Sequence, residues 1–224
     1  MREIVLDTET TGLDPLMGHR LVEIGCVELL NHLPTGRHWH AFINPERDMP
    51  YEAFEVHGLS ADFLADKPLF SAICGGFLDF IGDAPLIIHN GAFDMGFLNA
   101  ELRRCGRPEL PMERLVCTLE LARKRFSGAQ NSLDALCRRF SIDLSARTKH
   151  GAIVDCEQLA EVYLELCGGR QPGFLLGPSA AAAAAAITVE RPHRPARPHA
   201  PSAEELAAHA LFVETLSEPI WRLA

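Results

Sequence analysis

Residues 4–14 read IVLDTETTGLD, an apolar run, Ile4-Val5-Leu6, followed by two carboxylates one residue apart, Asp7 and Glu9. Alternate residues of a strand point to the same face, so both acids project together from the end of a first hydrophobic strand. Acidic residues are depleted in strands, and like charges on one face repel. A strand-end turn with solvated acids would carry this pattern. So would a divalent-cation site, because hard ions take oxygen ligands from one or two carboxylates plus substrate phosphate. Gly12 then lets the backbone turn closely, and Thr10 and Thr11 offer hydroxyls to a phosphate or sugar.

Three strands are predicted at the start, Glu3–Asp7, Leu21–Leu29 and His38–Ile43. Connections containing TTGLDP and LPTGR separate them and suggest an antiparallel meander. After Pro50 the pattern turns helical, and Leu69–Ile81 carries apolar residues at three- and four-residue spacing. PLIIHNG (Pro85–Gly91) reads as a short apolar strand, buried in the sheet centre and ended by a turn. Helices follow over Phe93–Cys105, Leu119–Phe126, Ser132–Phe140 and Ala152–Cys167, with a short strand at Leu115–Thr118. The order predicts an α/β domain built on a mixed sheet, over residues 1–168. Residues 169–202, rich in Gly, Ala and Pro, have linker composition. Residues 203–224 regain helical spacing at Leu206, Ala210, Val213 and Leu216; so short a segment cannot bury its own apolar face and reads as a docking segment for another protein.

A chain of 224 residues with 47% hydrophobic and 23% charged residues is long enough for one soluble domain plus an appendage. Its formal charge of -9 argues against a general nucleic-acid coat, though not against an acidic site whose ions contact phosphate. The seven cysteines form no CxxC pair and lie mostly in apolar runs, as expected of reduced thiols in a cytosolic protein. The N-terminal residues lack a signal-peptide pattern, and no apolar run reaches a membrane-spanning length.

Two further stretches carry chemistry. In HNGAFD (His89–Asp94), Asp94 falls in the first turn of a helix that follows a buried strand, where α/β proteins place their ligand crevice. As a helix-start acid it also suits the macrodipole. In HGAIVD (His150–Asp155), His150 precedes a helix and Asp155 lies near its start; histidine is the side chain best suited to take a proton from water near neutral pH. A surface histidine before a helix-start acid is the plainer alternative. The three stretches together supply four carboxylates and a histidine, the inventory of a two-metal phosphodiesterase.

DTETTGLD, HNGAFD and HGAIVD resemble, in order, the three motifs of the DEDDh 3′–5′ exonucleases, whose last motif carries a histidine five residues before its aspartate. EAFEVHGLSADFL (Glu52–Leu64) is similar to the segment this family uses near the 3′-terminal nucleotide. The resemblance covers roughly residues 1–170. It implies a ribonuclease H-like fold: a mixed sheet, antiparallel meander first and then α/β, flanked by helices, with a flexible C-terminal tail. It implies Asp7, Glu9, Asp94 and Asp155 as ligands of two divalent cations, Mg²⁺ or Mn²⁺, and His150 as general base. Asp7, Glu9, Thr10, Glu52, His57 and Asp155 would meet the substrate, a single-stranded or frayed DNA 3′ end, and nucleoside 5′-monophosphates would leave. His57 beside Gly58 also fits an ordinary turn.

In the replicative members of the family a C-terminal segment tethers the exonuclease to the polymerase alpha subunit, and Phe212, Leu216 and Trp221 would be its anchors here. RQPGFLL (Arg170–Leu176) resembles the peptide by which replication proteins bind the sliding clamp, through Gln171, Phe174 and Leu175; incidental apolar residues in a linker are the alternative. The implied location is the bacterial cytoplasm, at the nucleoid, with no membrane contact. The rival readings are an RNA-trimming DEDDh exonuclease, against which the linker and tail argue, and a non-catalytic stabilising subunit of a polymerase complex, against which the complete set of catalytic positions argues. The basic clusters Arg103-Arg104-Arg107, Arg123-Lys124-Arg125 and Arg138-Arg139 are possible phosphate contacts or solvated helix faces.

Overall fold

The computed structural model describes residues 1–143, 150–169 and 200–217. The chain divides into two units, residues 1–174 and 175–224. In the first, β1 (Arg2–Thr10), β2 (Leu21–Leu30), β3 (Leu33–Phe42), β4 (Leu86–Ile88) and β5 (Leu115–Cys117) form one sheet in the order β3-β2-β1-β4-β5. The first three strands are antiparallel neighbours, while β4 runs parallel to both β1 and β5. This is the mixed sheet the sequence predicts.

One boundary differs. LPTGR is not a connection: β3 already begins at Leu33 and pairs with β2 through Leu30. The reversal is made by Asn31 and His32, both with positive φ (52° and 66°). Two such residues give the tight turn whose twist matches a hairpin, so no longer loop is needed. β1 likewise runs three residues past Asp7, to Thr10.

Alternation on β1 sends its side chains to two cores. Ile4 and Leu6 join Ile24, Cys26, Leu86 and Ile88 on the face covered by α3 (Phe70–Ile81) and α4 (Ala92–Arg104), where Phe70, Phe77 and Phe97 are almost wholly buried. Val5 joins Val27, Leu29 and Ile87 on the opposite face, covered by α7 (Ala152–Leu166) through Cys156, Leu159 and Tyr163. Burial on both faces explains why β1 and β4 read as continuous apolar runs. Two short helices, α1 (Tyr51–His57) and α2 (Ala61–Leu64), occupy the region after Pro50; α5 (Thr118–Arg125) and α6 (Leu133–Phe140) pack on α7 through Ala122, Leu136, Cys137 and Val162. Among the described residues no disulfide forms, and Cys26, Cys74, Cys137 and Cys156 are buried.

In the second unit, α8 spans Ala203–Glu214, as the apolar spacing predicts. A capping box starts it: Ser202 Oγ accepts from the Glu205 amide while the Glu205 carboxylate accepts from the Ser202 amide. Among the described residues no helix is long and apolar enough to cross a membrane.

Candidate active site

The parallel neighbours β1 and β4 end on the same side of the sheet, and the acids gather there. Asp7 lies near the end of β1 on the face that α7 covers. It lines a cleft of about 890 Å³ with His89, Asn90, Arg123, His150 and Asp155. Glu9, two residues on, offers a carboxylate oxygen that lies within 4.8 Å of ligand atoms of both His150 and Asp155. Asp94 sits in the first turn of α4, buried, and accepts a hydrogen bond of 2.7 Å from the Thr8 hydroxyl. Thr8 points away from Asp7 and Glu9, so β1 reaches one acid across each of its faces.

Asp7 feels all of them. Burial first, then repulsion from Asp94, Glu9, Asp155 and Glu23, holds its carboxyl well above the ordinary range. Burial likewise pushes Asp94 up to about 7, against the opposing pull of the Thr8 hydrogen bond. A cluster of buried oxygens that resists its own ionisation is one that a cation relieves. The donors are hard carboxylates with one imidazole, which fits a divalent ion.

His150 stands at the cleft rim, half exposed, with Nδ1 3.1 Å from Asp155 Oδ2. That contact suits the tautomer with its proton on Nδ1, which leaves Nε2 to accept another. The structure thus brings Asp7, Glu9, Asp155 and His150 to one place, with Asp94 adjoining through Thr8.

A second hollow, of about 630 Å³, adjoins Glu9 and is lined by Thr10, Gly12, Leu13, Glu52, Val56, His57 and Phe93, among others. Glu52 and His57 both line this hollow. His57 is buried, its Nδ1 accepting from the Leu59 amide at 3.0 Å, while Gly58 (φ 76°) ends α1. Thr10 lines the hollow too, but its hydroxyl donates within the loop to the Gly12 carbonyl at 2.6 Å. Of the basic clusters, Arg123 alone lines the cleft. Arg103 and Arg104 pair with Glu109 and Glu101, while Arg125 and Arg139 donate to Glu165 O and to Asn131 and Gln130.

Three features escaped the sequence reading. Thr8, which holds Asp94, looks like filler between two acids. Glu23, buried directly opposite Glu9 and 2.7 Å from His40 Nε2, was hidden inside the apolar run of β2, although an acid in such a run is itself a signal. Phe93 and Val56 supply apolar walls that only the folded chain assembles.

Phe212 and Leu216 are exposed in the second unit. Trp221 and the stretch with Gln171, Phe174 and Leu175 lie outside the described residues.

A mixed sheet with acids on β1, in the first turn of α4 and in the first turn of α7, and a histidine five residues before the last acid, is the arrangement of the DEDDh class of 3′–5′ exonucleases. Comparison with known proteins bears this out. Residues 4–163 match the Exonuclease family. The nuclease domain of 3′hExo, a DEDDh family member bound to rAMP, has the same fold with a TM-score of 0.64, at 16% identity over 74% of this chain and 90% of that one. The DNA polymerase III subunit epsilon of Rickettsia typhi is 56% identical over 177 residues, 78% of this chain and 77% of the relative. That of Rickettsia conorii is 48% identical over 222 residues, 96% of each chain. The chain belongs to the DNA polymerase III epsilon subunits of the Exonuclease family, the proofreading 3′–5′ exonucleases.

Proposed function

We propose that Asp7, Glu9, Asp94 and Asp155 hold two divalent cations, Mg²⁺ or Mn²⁺, with His150 as general base for hydrolysis of the terminal phosphodiester of a DNA 3′ end. The observation that carries this reading is the approach of Glu9, His150 and Asp155 to within 4.8 Å of one another beside Asp7. When bound, the ions supply Lewis-acid stabilisation of the charge that develops on the phosphate and on the departing 3′-oxygen. The residues do the rest. Asp155 orients the His150 ring, and Nε2 takes the proton of the attacking water. The hollow beside Glu9 receives the terminal nucleotide: Phe93 and Val56 face its apolar surfaces, while Thr10, Glu52 and His57 supply polar contacts. Arg123 faces the phosphate backbone across the cleft. The product is a nucleoside 5′-monophosphate.

The exonuclease works in the cytoplasm at the replicating nucleoid, tethered to the polymerase alpha subunit by residues 203–224 with Phe212, Leu216 and Trp221 as anchors. Residues 1–168 form the catalytic domain and 169–202 the linker. Within it, residues 170–176, through Gln171, Phe174 and Leu175, contact the sliding clamp. The exposure of Phe212 and Leu216 on and after a capped helix supports the tether.

Matched 5′-labelled DNA and RNA oligonucleotides, digested with Mg²⁺ or Mn²⁺, test the reading. Shortening of DNA from the 3′ end, faster at a mispaired terminus and abolished in Asp7→Ala, is expected. Activity above a few per cent in Asp7→Ala removes Asp7 from the ligand set, and a preference for RNA overturns the assigned substrate.

A further inference from the structure

Directly opposite Asp7 on β2 is Gly25. A Cβ at Gly25 would stand 2.5 Å from the carbonyl carbon of Ala152 and 2.7 Å from the amide nitrogen of Ile153. These are backbone atoms in the first turn of α7, and they cannot swing aside as the tip of a side chain can. The residue that follows this turn is tied to the same strand. Cys156, fully buried, donates its thiol to the Gly25 carbonyl at 3.2 Å and lies 3.7 Å from the Val5 carbonyl. Further along α7, the helix and sheet are held apart by ordinary side chains, Leu159 and Tyr163 against Val27 and Leu29. At Gly25 the strand leaves no room for a side chain against the helix backbone, and Asp155 sits within this turn.

We propose that Gly25 and Cys156 form a seat for the first turn of α7, acting as positioning residues that set Asp155 and His150 against the carboxylates of β1 and so fix the affinity of the site for divalent cations. The inference rests on the reading of Asp7, Glu9 and Asp155 as cation ligands. Gly25 and Cys156 act through Asp155. A methyl group at residue 25 lifts the turn from the sheet, and a displacement near 1 Å at a reacting centre costs about 10²-fold in rate. Supporting residues of this kind are worth about 10- to 100-fold in metal affinity.

Mn²⁺ binding to the full chain, followed by the electron paramagnetic resonance of free Mn²⁺, tests the seat alongside kinetics and melting. Gly25→Ala is expected to bind Mn²⁺ at least about tenfold more weakly and to lose about 10²-fold in kcat, while KM for a short oligonucleotide holds within about threefold. Cys156→Ala should weaken Mn²⁺ binding less, and Cys156→Ser, which keeps a donor for the Gly25 carbonyl, should restore it. Phe77→Leu, a core change on the other face of the sheet, should lower the melting temperature and leave Mn²⁺ binding as it was. Unchanged Mn²⁺ binding in Gly25→Ala, or equal weakening in Phe77→Leu at a matched loss of melting temperature, overturns the proposal. Should Gly25→Ala fail to fold, the Cys156 pair decides: Ala and Ser alike, and the seat is refuted. Parent protein that binds no Mn²⁺ above the Asp7→Ala background refutes the ligand reading and the seat together; normal binding in the parent with no effect of the variants refutes the seat alone.

Discussion

Asp94 shows what the acidic centre costs the fold. Its carboxyl, ordinarily titrating at 3.8, is pushed to about 7 by burial. An unfolded chain loses that proton near 4, so between about pH 4 and pH 7 the native state holds more protons than the unfolded one. Stability therefore falls as pH rises through that window, and the full penalty is present above it. In the absence of metal, Asp94→Asn should melt above the parent protein at pH 8, with the gap closing by pH 4 in calorimetric scans. Added Mn²⁺ should narrow the gap at pH 8 by stabilising the parent, since its ligands bind as carboxylates. A gap that is constant with pH would show that Asp94 ionises normally. His150 answers to a different measurement. His150→Gln keeps a polar side chain beside Asp155 but no base, so kcat should fall about 10²- to 10⁴-fold with KM little changed. Both residues stand out in the sequence by their type and spacing within HNGAFD and HGAIVD. Gly25, Thr8 and Cys156 do not, because what they do depends on which element lies against them.

At the scale of elements, the loop between β1 and β2 shapes the hollow beside Glu9, and a side-chain lattice anchors it. Thr11 exchanges backbone and hydroxyl bonds with Arg20, and Arg20 donates to both oxygens of Glu101 on α4, at 2.5 and 2.9 Å. Glu101 is 2% exposed, so its charge depends on that partner and on Arg104. Removing one side of a buried pair costs about 3–5 kcal/mol, and the retained Arg104 places Arg20→Ala near the lower figure. Urea unfolding should register about 3 kcal/mol lost, and KM should rise as the loop loosens. A loss below 1 kcal/mol would mean that Arg104 alone satisfies Glu101. The elements themselves were mostly readable, since α3, α4, α6 and α7 follow their apolar periodicity. The β2–β3 turn was not, because Asn31-His32 takes left-handed backbone without the glycine that usually announces it.

For the whole molecule, charge and tether remain. From its three basic clusters an acidic chain of formal charge -9 brings Arg123 to the cleft, while Arg103 and Arg104 pair with Glu109 and Glu101. Few phosphates are then neutralised, and the logarithm of kcat/KM on single-stranded DNA should fall with log salt at a slope of about -1. Arg123→Ala should flatten it further. A slope that shallow would suit an enzyme delivered to its substrate by a partner rather than by its own field. A docking role for residues 203–224 predicts a separable loss. Phe212→Asp with Leu216→Asp places charges on two exposed apolar positions of the second unit without touching any cleft residue. Turnover of a short oligonucleotide should stay within about twofold, because the residues that line the cleft and the hollow all belong to the first unit. Co-elution with the polymerase alpha subunit in gel filtration should disappear, since two buried apolar anchors are worth several kcal/mol and their replacements would bury charge. A double variant that still co-elutes would move the docking surface off the helix and onto the first unit or the residues beyond 217.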